Sequence, residues 1–164
     1  MPSTLQDAGR IALAEAFKAQ PLHVAWGTGS AAWDTTPEPE PEPTTATTLL
    51  AEVGRRTVTT VDYVLPDAGG DIHMPTGERY AVSAAPTPTL YVRTVFDFAD
   101  ADGHTIRELA LMVGTQPIAG LPAGLRYFTP AQIEQPGRLY LLNRDERIVR
   151  SGSTYQSVEF IVPF

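Results

Sequence analysis

The 164-residue chain reads as mainly β, an antiparallel β-sandwich with one N-terminal α-helix and long extended loops. Three observations carry that reading. Apolar residues recur at every second position over several short stretches, the period of a half-buried strand. Fifteen prolines and thirteen glycines are spread among valine, threonine and tyrosine, the texture of short strands and many turns. Only one stretch, near the N-terminus, has helical spacing, and strands without regular helices between them favour antiparallel order.

The helix is expected near residues 3–19. Ser3 with Gln6 three residues on matches a capping box, and Pro21 closes the segment. Leu5, Ala8, Ala12 and Ala16 make one stripe, flanked by Leu13 and Phe17, while Ile11 points roughly the other way. A helix apolar on two sides can touch both its own domain and a neighbour. The expected organisation is therefore a helical arm over 1–20 and a β-sandwich domain over 21–164.

Leu22, Val24 and Trp26 alternate, as do Val61, Tyr63 and Leu65. Leu90, Val92, Thr94, Phe96 and Phe98 give the clearest strand, with Tyr91, Arg93, Val95 and Asp97 on its other face. Asp100-Ala101-Asp102-Gly103 reads as a hairpin turn. The return strand from Thr105 carries Leu109, Leu111 and Val113, and Ile106 out of phase places a bulge near Arg107–Glu108. Thr129 and Pro130 can open a helical turn, and Arg144-Asp145-Glu146-Arg147 reads as a charged hairpin tip. Val158, Phe160 and Val162 form a terminal strand.

One segment fits no element. Pro37-Glu38-Pro39-Glu40-Pro41-Glu42-Pro43 cannot enter a helix interior or a central strand, because proline lacks the backbone N–H, and its glutamates repel one another. An exposed excursion is expected at about 34–48. Long excursions serve contacts more often than stability.

Composition narrows the function. The net charge is −7, with eleven arginines and one lysine, Lys18. An acidic chain without a basic stripe does not suit nucleic acid, whose affinity comes largely from phosphate neutralisation. With no cysteine there is no disulfide or thiolate metal site. No apolar run approaches the roughly 20 residues of a membrane helix, and no cationic segment precedes an apolar one as in a secretory leader. A soluble protein without membrane insertion is expected.

The chemical motifs are weak. Gly27-Thr28-Gly29-Ser30-Ala31-Ala32 matches the dinucleotide fingerprint in letters, but the proline run follows where a helix N-terminus must hold the pyrophosphate. Asp100, Asp102 and Gly103 resemble part of a calcium loop, yet Phe98 and Leu109 then fall where ligand oxygens are required. His23, His73 and His104 lack metal-ligand spacing and read as surface or edge residues; no serine sits in a nucleophile elbow. No cofactor, metal or catalytic residue is expected, and the chain does not read as an enzyme. Contact candidates are Leu5, Ile11 and Phe17 on the helix, Trp33 beside the proline run, and Leu121 in the glycine- and proline-rich 114–125 loop. Glu52, Arg55, Arg56, Arg107 and Glu108 are candidates for charged pairs that lock the fold or an interface. Trp26 is expected to fill core.

Three phrases in order carry a resemblance: the glycine turn after Leu22-His23-Val24-Ala25-Trp26, then Leu49-Leu50-Ala51-Glu52-Val53-Gly54-Arg55, then Gly103-His104-Thr105-Ile106-Arg107-Glu108-Leu109. A glycine turn, a variable gap, Leu-x-x-Glu-x-x-Arg, and a strand with Gly-x-x-Ile-x-Glu resembles the attachment domains of phage tail-collar and tail-fibre proteins. The resemblance spans residues 22 to about 113. It implies a structural virion protein of a tail tip or baseplate, made in the bacterial host cytoplasm. Its partners would be other tail proteins and copies of itself, as a homo-oligomer in a ring connecting tail to fibres. Since no long shaft follows, a baseplate or adaptor subunit is expected rather than a receptor-binding fibre. The alternative is a β-sandwich module for carbohydrate or another cell-surface ligand, with Trp33, Tyr80 and Tyr91 as stacking faces.

Overall fold

The computed structural model describes residues 3–35, 40–144 and 147–164. Pro37, Glu38 and Pro39 of the proline run, and Asp145 and Glu146 of the charged tip, lie outside them. The protein is mainly β, with antiparallel sheets and one α-helix at the N-terminal end. The helix is α1 (Asp7–Lys18). The strands are β1 (Leu22–Gly27), β2 (Glu52–Thr57), β3 (Thr60–Pro66), β4 (Ile72–His73), β5 (Arg79–Val82), β6 (Thr89–Phe96) and β7 (Thr105–Ile106). They continue as β8 (Glu108–Val113), β9 (Gln116–Pro117), β10 (Tyr127–Phe128), β11 (Ile133–Gln135), β12 (Arg138–Asn143), β13 (Ile148–Val149) and β14 (Gln156–Pro163). Two compact units result: residues 1–20, 59–93 and 158–164 form the first, residues 21–58 and 94–157 the second.

In the first unit, strands run in the order β14-β6-β3-β5-β4. Asp62 faces Tyr91 and Thr60 faces Arg93 across β3 and β6. Val64, Tyr80 and Tyr91 form a buried cluster with Ile72, Met74 and Ile161. Val64 is therefore the inward residue of β3, and Leu65 is 50% exposed, opposite to what the Val61, Tyr63, Leu65 alternation suggests. The helix starts three residues later than the capping box indicates. Gln6 stands at the N-cap, and its side chain donates to the Thr4 carbonyl instead of closing a box with Ser3. Ala14 and Phe17 turn inward, Phe17 meeting Phe164 edge-on at 5.3 Å, and Arg10 donates to the Phe164 carbonyl. Ile11 is half-buried on that same side, while Ala8, Ala12 and Ala16 lie exposed. The expected inward stripe is the outward one, because two aromatic rings bury more apolar area than a row of methyl groups.

In the second unit, the order is β10-β2-β1-β8-β12. β1 is central and buried at every residue, so His23 lies in the interior at 4% exposure and is not a surface or edge residue. Trp26 is fully buried and stacks on Phe96 at 3.5 Å. The bulge expected near Arg107–Glu108 appears as the break between β7 and β8 at Arg107. The Asp100–Gly103 turn does not close a hairpin. β6 pairs with β3 and neighbours β14, whereas β7 pairs with β13 and β8 with β1 and β12. Left-handed Ala101 (φ 52°) and Gly103 (φ 74°) redirect the chain, and the Asp100 carboxylate accepts the Asp97 N–H at 2.7 Å to hold the turn. β12 pairs with β8, and β13 with β7. Pro130–Gln132 is one 3-10 turn behind Thr129, whose N–H donates to Gln132 Oε1 at 2.9 Å.

Candidate interaction surface

The charged residues of the three sequence phrases converge within the second unit. A bulge at Val53 interrupts the β1–β2 register and puts Glu52 on the same side as Arg55. Arg55, 3% exposed, then grips Glu52 with both arms, Nε to Oε1 and Nη2 to Oε2, each at 2.8 Å. Its third nitrogen donates to Thr115 Oγ1 at 2.7 Å and to the Pro136 carbonyl at 2.6 Å, tying both ends of the 115–136 segment to β2. On the next residue, Arg56 pairs with the Asp100 carboxylate.

Arg107 and Glu108 fasten the excursion. Arg107 grips Asp34 through Nε (2.8 Å) and Nη2 (2.7 Å), and its Nη1 donates to the Thr28 carbonyl at 2.9 Å. Asp34 is held at about 2, first by the Arg107 hydrogen bonds, with desolvation opposing and Arg147 adding to them. Glu108 is fully buried. Its Oε1 takes Arg144 Nε and Nη2 at 3.0 Å, and its Oε2 takes the Leu50 N–H at 2.7 Å. Arg144 also lies over the Trp33 ring at 4.7 Å, and its backbone N–H donates to Glu42 Oε1 at 3.0 Å. Trp33 in turn occupies the space beside left-handed Gly29, where a Cβ would sit 2.3 Å from the ring. The described ends of the excursion are thus bonded to their own chain. The 3-10 turn Ala31–Thr35 follows the Gly-Thr-Gly sequence, too short to act as a phosphate-holding helix.

Sequence reasoning missed Arg150, Arg144 and Asp34. Arg150, 2% exposed, donates to the carbonyls of Asp97 (2.6 Å), Asp100 (3.2 Å) and Thr154 (3.0 Å) and lies over Trp26 at 5.1 Å. Nothing local in the sequence marks a residue two of whose partners are carbonyls 50 and 53 positions away. Phe98, expected in line with Leu90, Val92, Thr94 and Phe96, lies past the end of β6 at Phe96 and forms an exposed pair with Tyr155, centroids 4.0 Å apart.

Of the apolar candidates, Leu5 is 52% exposed, Ile11 and Leu121 are half-buried, and Phe17 is turned inward at 8%. Trp33 is half-buried beneath Arg144. Tyr80 and Tyr91 are each 8% exposed, which leaves little ring face for stacking a sugar. A cleft of about 600 Å³ in the second unit is lined by Glu52, Asp102, His104 and Tyr127 among small residues. No three acids or imidazoles among the described residues converge to hold a metal ion.

A β-body whose buried ions are spent on holding its own loops is built as a structural protein. The family described as "Baseplate wedge 3 tail fiber network component" matches residues 2–164, and the chain belongs to it. It is a structural component of a phage tail baseplate, located in the virion tail. No curated protein matches the chain.

The family match extends over the whole stretch that carries the three phrases. They form one bonded knot: Arg107 reaches the glycine turn through Gly27 and Thr28, and Glu108 reaches the second phrase through Leu50.

Proposed function

We propose that the chain acts by assembly and transforms no molecule: copies of it join one another in a ring, bind other baseplate proteins, and connect the tail to its fibres. Synthesis in the host cytoplasm belongs to the same reading. The observation that carries it is the family match over residues 2–164, whose description is that of a network component. The fastened loops support it, because a subunit with preset loops loses less entropy on docking. Multivalent contacts in a closed ring make weak individual interfaces strong. Leu5, Trp33 and Leu121 are the proposed contact residues; Glu52, Arg55, Arg56, Arg107 and Glu108 keep the surface in shape.

The test is mass measurement in solution of the full chain, alone and with the other baseplate proteins, together with incorporation into particles. Oligomers, or a stable complex with a baseplate protein, are expected. A chain that stays monomeric at all concentrations, binds no tail component and is dispensable for particle assembly would overturn the reading.

A further inference from the structure

The two five-stranded sheets end in four edge strands among the described residues, β14 and β4 in one sheet, β10 and β12 in the other. An edge strand is a template for another chain, and proteins that stay apart blunt it by shortening, bending or charging it. Three of these four are blunted. β4 and β10 have two residues each, and the register of β12 breaks between Leu139 and Leu141, just past Arg138. β14 is different. It runs for eight residues, and its middle reads Val158-Glu159-Phe160-Ile161-Val162. The charge in it, Glu159, already meets Arg93 at 3.4 Å. Phe160 and Ile161 are half-buried, so a further strand would complete their cover.

We propose that β14 is the seam between two copies of this chain, the strand of one lying antiparallel to that of the other about a dyad at Phe160. The partner's chemistry is then this chain's own, and two features of β14 select it over an unrelated strand. Val158, Phe160 and Val162 form a Val-x-Phe-x-Val pattern that reads the same in both directions. Pairing of a strand with itself requires such symmetry, and pairing with a different strand does not. With the dyad at Phe160, Phe160 faces its counterpart, Val158 faces Val162 and Glu159 faces Ile161, so no like charges stand opposite one another. The backbone phase agrees. The Phe164 N–H donates to the Pro88 carbonyl while Glu159 lies beside Arg93, so β14 runs antiparallel to β6. Every second residue back from Phe164, including Phe160, then turns its N–H to β6, and Ile161 turns outward to where the copy would lie. Pro163, which has no N–H, falls on that outward side, as a proline in an edge strand does. The proposal rests on the assembly reading and deepens it: the dyad joins copies in pairs, and a ring of pairs takes its second contact from another surface.

The chain has no cysteine, so one introduced thiol reports one contact. Phe160→Cys places two sulfurs across the dyad at a non-hydrogen-bonded pair, the close spacing that a disulfide needs. Mild oxidation of the full chain should give a covalent dimer. Tyr140→Cys, which replaces an aromatic residue on the β12 edge, is the control and should stay monomeric. Equal cross-linking in both variants would mean chance collision and overturn the proposal, as would none in either. Because Phe160→Cys removes a large side chain, the unaltered chain is measured as well. Its mass should double with rising concentration, and exchange of the Ile161 amide should slow by about tenfold between micromolar and millimolar protein while β12 amides keep their rates. A single-chain mass throughout, with Ile161 exchange unchanged, would overturn the proposal even if the variant unfolds. Should the unaltered chain be monomeric alone and Phe160→Cys cross-link only to another baseplate protein, the seam belongs to that protein: the pairing of copies falls and the assembly reading stands.

Discussion

Arg55 shows how a side chain can look like an interface anchor in sequence and be spent inside the fold. Its three nitrogens make four hydrogen bonds, to one carboxylate, one hydroxyl and one carbonyl of its own chain. Arg55→Ala should therefore destabilise the isolated protein by about 3 kcal/mol, because it strands Glu52 and two loop acceptors. Arg55→Lys, with a single cationic point in place of a fork, should cost about 2 kcal/mol. The midpoint of urea unfolding measures both; a midpoint unchanged by either would contradict the clamp. His23 gives a pH prediction. Burial first, then the charge of Arg55, lowers its imidazole from 6.5 to about 4. Above pH 6.5 both folded and unfolded states hold it neutral. Between 6.5 and 4 only the unfolded chain takes up the proton, so stability falls as pH drops, by up to about 3 kcal/mol for this residue. His23→Gln should flatten that slope; an identical slope would assign it elsewhere. The sequence displayed the glutamate and arginine three residues apart, but not the bulge at Val53 that turns them to one side. Nor did it show that β1, whose Leu, Val and Trp alternate, is covered on both faces.

At the level of elements, α1 and the excursion carry separate predictions. The helix presents Ala8, Ala12 and Ala16 outward with Leu13 at 48% exposure. Leu13→Glu should leave unfolding within about 0.5 kcal/mol of the parent, as exposed substitutions do. If the outward side contacts a neighbour, the same change lowers oligomer mass or particle incorporation. The excursion hangs on Arg144, which touches Trp33 at one end and Glu42 near the other while pairing with Glu108. Arg144→Ala should speed hydrogen exchange and proteolysis over residues 28–50 while the amides of β1 and β8 stay protected. Uniform loss of protection would mean global unfolding instead. The long alternating strand at Leu90–Phe96, the break at Arg107 and the turn behind Thr129 could all be read from sequence, since each depends on residues within a few positions. Pairing partners could not. The turn at Asp100–Gly103 looks like a hairpin locally, and only distant strands decide otherwise.

For the whole molecule, the family could be read from three short phrases because they are one cluster of bonds in space. Glycine turn, Glu-Arg strand and Arg-Glu strand must keep their residues for Arg107 to reach Thr28 and Glu108 to reach Leu50. The variable gap in the pattern corresponds to the excursion, which those bonds fasten at its ends. What sequence did not reveal is the division into two units whose segments interleave along the chain, because that depends on long-range pairing. The class of fold came from turn density and period two; the surfaces that meet other proteins leave no comparable periodic signal.

The chain has no thiol to oxidise, and guanidinium groups do the stapling. Such staples close as soon as the polypeptide folds and need no oxidase or isomerase. A reducing agent should then leave the melting temperature unchanged, inside a cell or outside it, whereas guanidinium salts, which compete for the same carboxylates, should open the loops before they melt the sheets.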